Sequence, residues 1–237
     1  MAGNGKRTAV LGKFKPFIKV KNKKIIEWFL ISIKNKIKNK DTIILITTKD
    51  FEKKFNFKKN MKIIIKKYKL NIKNLIFKFI DATPKGPAYT VYSIKNILIY
   101  LNKPCIVVNP DQYIDFDLPK KIIKDNLYLP IHFNNHGNSS YVKLNKRGKI
   151  VEIKEKNLIS NYASSGVYIF GSTLLLKRIL NQITKIKLKN EINMSELINK
   201  FLKKNKSKVN PLNTLAKYDL GNVKNIKNFS IKDFKVN

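Results

Sequence analysis

The 237-residue chain predicts an α/β fold, in which a sheet is covered by helices, and three observations carry that prediction. Short runs rich in β-branched and aliphatic residues alternate with stretches of helical periodicity along the whole length. Two of those runs, residues 42–48 (TIILITT) and 105–109 (CIVVN), are nearly continuous in apolar residues, as strands covered on both faces are. Finally, 43% of the residues are apolar, enough for a real core in a chain of this length.

Each element has its own local signal. The strand predictions are residues 42–48, 75–80, 105–109, 141–144, 150–153 and 167–170. Helices are expected over residues 25–36, 89–101, 174–183 and 195–204. In the first helix Ile25, Phe29 and Ile33 share one stripe, with Trp28 beside it. Residues 141–153 read as a hairpin, because Asn145-Lys146-Arg147-Gly148 is a turn between two short strands. Gly221 precedes a final helix. Without an internal repeat or a clear linker, one domain over residues 1–237 is the simplest organisation.

Charge narrows the function classes. The formal net charge is +35, but of 50 basic residues only Arg7, Arg147 and Arg178 are arginine, leaving 47 lysines. A surface built to grip nucleic acid draws heavily on arginine, whose flat fork makes bidentate contacts that lysine cannot. Here Lys, Asn and Ile are abundant everywhere rather than clustered, a pattern that AT-rich codons produce. Solvated lysines are therefore the reading preferred over a specific nucleic-acid surface, although such a field still draws in anionic small molecules. No apolar run approaches the roughly 20 residues of a membrane-spanning helix. The chain shows no secretory signal, and its single Cys105 fits a reducing, cytoplasmic compartment.

Several residues could carry chemistry. Gly3-Asn4-Gly5-Lys6-Arg7 is a glycine-rich turn with two cations, able to aim backbone N–H groups and a guanidinium at phosphate oxygens. A flexible tail is its plain alternative. Pro16 stiffens the segment after Lys15, an arrangement useful for a cation that meets a phosphate, although Lys15 also reads as one more solvated side chain. Acidic residues are more informative, since there are only 15. Asp111 follows the apolar strand at 105–109, where open α/β sheets place ligands. Mg²⁺ takes one or two carboxylates plus substrate phosphates, so Asp111 and a distant partner would suffice. Asp219, beside Gly221, is the best such partner, while a turn-capping role for Asp111 remains open.

Together these residues resemble the sugar-phosphate nucleotidyltransferase family. Met1-Ala2-Gly3-Asn4-Gly5-Lys6-Arg7 is similar to its opening Met-Ala-Gly-x-Gly-x-Arg pattern. Lys15-Pro16-Phe17-Ile18 and Ile25-Ile26-Glu27-Trp28 resemble its next two segments, and Gly86-Pro87-Ala88-Tyr89-Thr90-Val91 its base-recognition loop. Val108-Asn109-Pro110-Asp111 looks like the strand and metal-binding aspartate, and Asp219-Leu220-Gly221-Asn222 like the second metal motif. Glu155-Lys156, Asn161 and Gly166 look like its sugar-site strand pair. Each piece is short, but all occur in family order across nearly the whole chain.

The resemblance implies a Rossmann-like mixed sheet of the nucleotide-diphospho-sugar transferase (GT-A-like) type. It implies NMP transfer from an NTP to a sugar phosphate or related phosphorylated acceptor, with release of pyrophosphate and help from Mg²⁺. By that carry-over Gly3, Asn4, Gly5 and Arg7 hold the triphosphate and Lys15 bridges the reacting phosphates. Gly86, Pro87 and Ala88 face the base, and Asp111 and Asp219 bind Mg²⁺. Glu155 accepts sugar hydroxyls, Lys156 holds the acceptor phosphate, and Asn161 and Gly166 complete the pocket. The nearest members are those encoded with surface-polysaccharide genes. A departure is that the strand that usually feeds the glycine motif is expected to be lacking, and Lys19 stands where proline is usual. The competing reading is a GT-A-type glycosyltransferase using Asp115-x-Asp117; a basic nucleic-acid-binding protein is third. A homo-oligomer is left open.

Overall fold

A computed structural model describes Gly3 and residues 14–70, 72, 74–185, 191–205 and 208–231. These fall into two compact units. The first contains residues 1–83, 109–115 and 216–237; the second contains residues 84–108 and 116–215.

The first unit opens with a 3-10 turn, Lys15–Phe17, which Pro16 initiates because its fixed φ suits a first helical position. A short antiparallel ladder, β1 (Lys19–Val20) with β2 (Lys23–Lys24), turns the chain into helix α1 (Ile25–Ile33). The Lys24 N–H donates to Glu27 Oε2 at 2.7 Å, satisfying a donor at the helix start. Strand β3 (Thr42–Thr48) leads to α2 (Lys49–Phe55) and α3 (Phe57–Lys67), and β4 (Asn74–Ile80) pairs in parallel with β3. The Thr48 hydroxyl caps α2 by accepting from the Phe51 N–H at 3.1 Å. Asn56, left-handed at φ 45°, separates the two helices.

In the second unit α4 (Pro87–Tyr92) and α5 (Lys95–Leu101) precede β5 (Cys105–Val108). Further on come β7 (Leu127–Phe133), β8 (Ser140–Leu144), β9 (Ile150–Glu155), β10 (Tyr162–Ser164), β11 (Val167–Phe170), α6 (Thr173–Leu180) and α7 (Met194–Lys204). The sheet runs in the order β5-β11-β7-β10-β8-β9. Strand β11 meets β5 and β7 antiparallel, whereas the start of β12 (Val209–Asp219) lies parallel to β7, so the sheet is mixed. Strand β6 (Gln112–Phe116) pairs with β12, and α8 (Val223–Ile231) ends the described chain. Val167–Phe170 is buried at every position, and α6 covers this core with Leu175, Leu176, Ile179 and Leu180.

The α/β class holds, and the first two expected helices differ in detail. The helix expected over residues 89–101 is broken, because the Ser93 hydroxyl donates to the Thr90 carbonyl at 2.7 Å and Ile94 leaves helical geometry. The helix beginning at Ile25 gives way to a 3-10 turn at Lys34–Lys36.

Candidate active site

In the first unit Lys15 is held from both sides. Phe14 lies in a cluster of rings, with centroids 5.2 Å from Phe55 and 4.5 Å from Phe51. Ile18 belongs to the apolar cluster of Val20, Ile25, Trp28, Leu220, Ile226 and Phe229. The backbone carrying Lys15 is thereby pinned, and its ammonium reaches Asp111 Oδ2 at 2.5 Å. Burial, the largest influence on Asp111, pushes its carboxyl upward. The charge and hydrogen bond of Lys15, joined by a backbone hydrogen bond, outweigh that, so it sits below the ordinary carboxylate range.

Asp111 and the Asp219 segment are brought together through the backbone. The Leu220 N–H donates to the Asp111 carbonyl at 2.8 Å, and Leu220 itself is fully buried. A Cβ added at Gly221 would stand 3.3 Å from Asp111 Oδ2 and 3.6 Å from Lys15 Nζ, so glycine keeps this corner open. Asp219 pairs with Lys217, Nζ to Oδ2 at 2.7 Å. Two residues apart on β12, the two side chains share one face of the strand.

This donor set suits Mg²⁺. Among the described residues no group of three or more His, Cys, Asp or Glu side chains could enclose a metal. A pair of carboxylates completed by phosphate oxygens and water is the arrangement Mg²⁺ favours, since it dehydrates reluctantly. Asp115 and Asp117 of the competing reading are both engaged: Asp115 with Lys36 at 2.6 Å, Asp117 with the Asn213 amide at 3.0 Å.

In the second unit Gly86 has φ 103°, and an added Cβ would meet the Ile192 carbonyl oxygen at 2.5 Å. The Ala88 N–H donates to that same carbonyl at 3.1 Å, and Ala88 is fully buried. Close approach to the Ile192 backbone is therefore one physical reason for small residues in Gly86-Pro87-Ala88. Glu155 accepts a very short hydrogen bond from the Ser140 hydroxyl and another from Ser195 at 2.9 Å. Burial, and then the Glu155 charge, push the Tyr168 phenol well above its usual range, so it stays protonated beside them. Glu155 also lines a groove of about 350 Å³ with Lys154, Asn157, Glu196, Asn199 and Lys200. Lys156 adopts the left-handed conformation (φ 52°) and its N–H donates to Ser139. Asn161 is exposed, its carbonyl accepting from the Asn134 N–H at 2.9 Å, and Gly166 has φ 77°.

Gly3 is exposed, with no atom within 4 Å of an added Cβ; Asn4, Gly5 and Arg7 lie outside the described residues. Sequence reasoning missed Lys217, Ser140, Ser195 and Tyr168. Only the i, i+2 spacing of Lys217 and Asp219 offered a signal.

Comparison with solved structures bears on the fold. A nucleoside-diphosphate-sugar pyrophosphorylase from Vibrio cholerae RC9 superposes with a TM-score of 0.82 at 17% identity, covering 98% of each chain. The CTP:phosphocholine cytidylyltransferase of Streptococcus pneumoniae gives 0.67 at 18% identity over 97% of this chain and 94% of that one. The inositol-1-phosphate CTP transferase of T. maritima gives 0.69 at 15% identity over 94% and 88%. At these identities the likeness establishes the shared nucleotidyltransferase fold. The sequence signature described as Nucleotidyl transferase matches residues 2–235, and the chain belongs to that family. No curated protein sequence matches it. Among the described residues no helix is long and apolar enough to cross a membrane.

Proposed function

We propose that the protein is a Mg²⁺-dependent nucleotidyltransferase that moves NMP from an NTP onto a sugar phosphate or a similar phosphorylated small molecule. The observation that carries this reading is the convergence of Lys15, Asp111 and the Asp219 segment, fixed by the Lys15–Asp111 ion pair and the Leu220–Asp111 backbone bond. Residues 1–237 act as one nucleotidyltransferase domain, in line with the family match over 2–235.

An acceptor phosphate oxygen attacks the α-phosphorus of the NTP. A new P–O bond forms as the bond to the bridging oxygen breaks, and the electron pair leaves with pyrophosphate. No covalent enzyme intermediate is needed, so positioning and charge neutralisation do the catalysis. Lys15 places its ammonium on the reacting phosphates, while Gly3, Asn4, Gly5 and Arg7 bind the triphosphate. Gly86, Pro87 and Ala88 form the base loop, shaped by its packing on Ile192. Glu155, oriented by Ser140 and Ser195, accepts acceptor hydroxyls, with Lys156 on the acceptor phosphate and Asn161 and Gly166 beside it. Asp111 and Asp219 would hold Mg²⁺, which when bound supplies charge neutralisation at the α-phosphate.

The named neighbours handle sugar, inositol and choline phosphates, so the acceptor class is drawn from these three. We assign the reaction to the cytoplasm and its product, a nucleotide sugar, to surface-polysaccharide synthesis. The test is incubation with Mg²⁺, each NTP and a panel of sugar 1-phosphates, inositol 1-phosphate and phosphocholine. Pyrophosphate release with one pair is the expected result. Release of free NDP from a nucleotide sugar would overturn it in favour of a glycosyltransferase. Tight, steeply salt-dependent nucleic-acid binding without turnover would overturn it in favour of the basic nucleic-acid reading.

A further inference from the structure

Both aspartates expected to meet the metal are already neutralised by lysines. Lys15 takes Asp111 Oδ2, and Lys217 takes Asp219 Oδ2 at 2.7 Å. The Lys217 side chain is only 12% exposed and those of Lys15 and Lys36, the latter paired with Asp115, 18%, whereas the ion-paired lysines 49, 54, 67 and 154 keep 44% or more. In a chain with 47 lysines, a sequestered stem ending on a candidate metal ligand separates Lys217 from the solvated majority. Tyr218, its neighbour on β12, packs on Phe229 with ring centroids 5.9 Å apart, which anchors the strand there.

We propose that Lys217 is a second phosphate-binding cation of this site, held on Asp219 in the metal-free protein and passed to substrate phosphate oxygens when the carboxylate takes up the divalent cation. The inference rests on the nucleotidyltransferase reading. Ammonium and metal draw on the charge of the same Asp219 carboxylate, so uptake of the divalent ion weakens its hold on the ammonium. Once displaced, the ammonium cannot withdraw freely into solvent, because its stem is largely covered. The four-carbon chain lets Nζ travel a few ångström while the backbone stays in β12. A compact, strongly hydrated point charge is suited to phosphate oxygens, and the incoming triphosphate and acceptor phosphate carry more negative charge than Lys15 and one divalent ion offset.

The test uses the full chain as wild type, Lys217→Gln, Lys217→Arg, Asp111→Asn and, as a control, Lys66→Gln on the exposed side of α3. Calorimetry measures Mn²⁺ binding to nucleotide-free protein, and then inorganic tripolyphosphate binding at saturating Mg²⁺. Removing the competing ammonium in Lys217→Gln should tighten Mn²⁺ binding about two- to fivefold. The same variant should weaken tripolyphosphate binding about tenfold, with Lys217→Arg restoring it. Lys66→Gln should change neither. If Lys217→Gln fails to fold, Lys217→Met keeps the stem volume and serves instead.

Unchanged tripolyphosphate affinity overturns the proposal, even with tighter Mn²⁺, because Lys217 is then only a counter-ion. Unchanged affinity for both ligands overturns it as well and leaves an ordinary strand ion pair. Failure of the wider reading looks different: wild type then releases no pyrophosphate and binds Mn²⁺ no better than Asp111→Asn, which sinks both.

Discussion

Asp111 has its Oδ2 in contact with Lys15, its carbonyl bonded to Leu220 N–H, and Gly221 close against its carboxylate. Asp111→Asn keeps the shape and removes the charge, so turnover should fall by at least about a hundredfold, while the thermal midpoint drops only modestly through loss of the Lys15 ion pair. Pyrophosphate release and a melting curve on the same sample check this. Gly221→Ala tests clearance. Its backbone has no positive φ, so the fold should survive, while a Cβ 3.3 Å from Asp111 Oδ2 should displace the carboxylate and lower kcat by roughly tenfold. Lys15→Ala should reduce turnover far more than Lys66→Ala, because only Lys15 is pinned between two apolar clusters.

Elements place these groups, and not every element was legible. The ends of β3 and β11 match the sequence prediction because TIILITT and VYIF are unbroken apolar runs. Helix α3 was missed since lysines dilute its stripe, although Phe57, Met61 and Ile64 fall at i, i+4 and i+7 and are all buried. Strand β7 was hidden by Pro130, which reads as a strand breaker yet pairs with Leu212 of β12. Its carbonyl also accepts both the N–H and the hydroxyl of Ser165. At the start of α4, Gly86→Ala should destabilise by about 1–3 kcal/mol from backbone strain alone, with the approach to Ile192 adding to it. The midpoint of chemical unfolding measures that loss.

Over the whole molecule, the scarce carboxylates govern pH behaviour. Burial pushes Glu27 upward, but hydrogen bonds from Lys67, the Lys24 backbone and Tyr68, with the Lys67 charge, bring its carboxyl below the ordinary value of 4.5. A depressed carboxylate contributes its full stabilisation above the unfolded value and loses it as pH falls through the folded one. Wild type should therefore lose thermal stability below about pH 4.5, with a smaller acid slope in Glu27→Gln. Melting both proteins across that range decides it. The +35 net charge predicts a second bulk property: KM for the NTP should rise with ionic strength as the field is screened, while kcat stays nearly constant.

The sequence by itself determined the α/β class, the order of the motifs and the identity of Lys15, Asp111 and Asp219 as candidates. Those depend on local hydrophobic period and on short patterns that need no partner to be read. Only the tertiary structure decided that Leu220 ties Asp111 to the segment that carries Asp219, that Gly86 and Ala88 close on Ile192, and that Lys217 turns a largely covered side chain onto Asp219. Which lysines among 47 are sequestered depends on burial and distant backbone contacts, and neither is written in the spacing of residues along the chain.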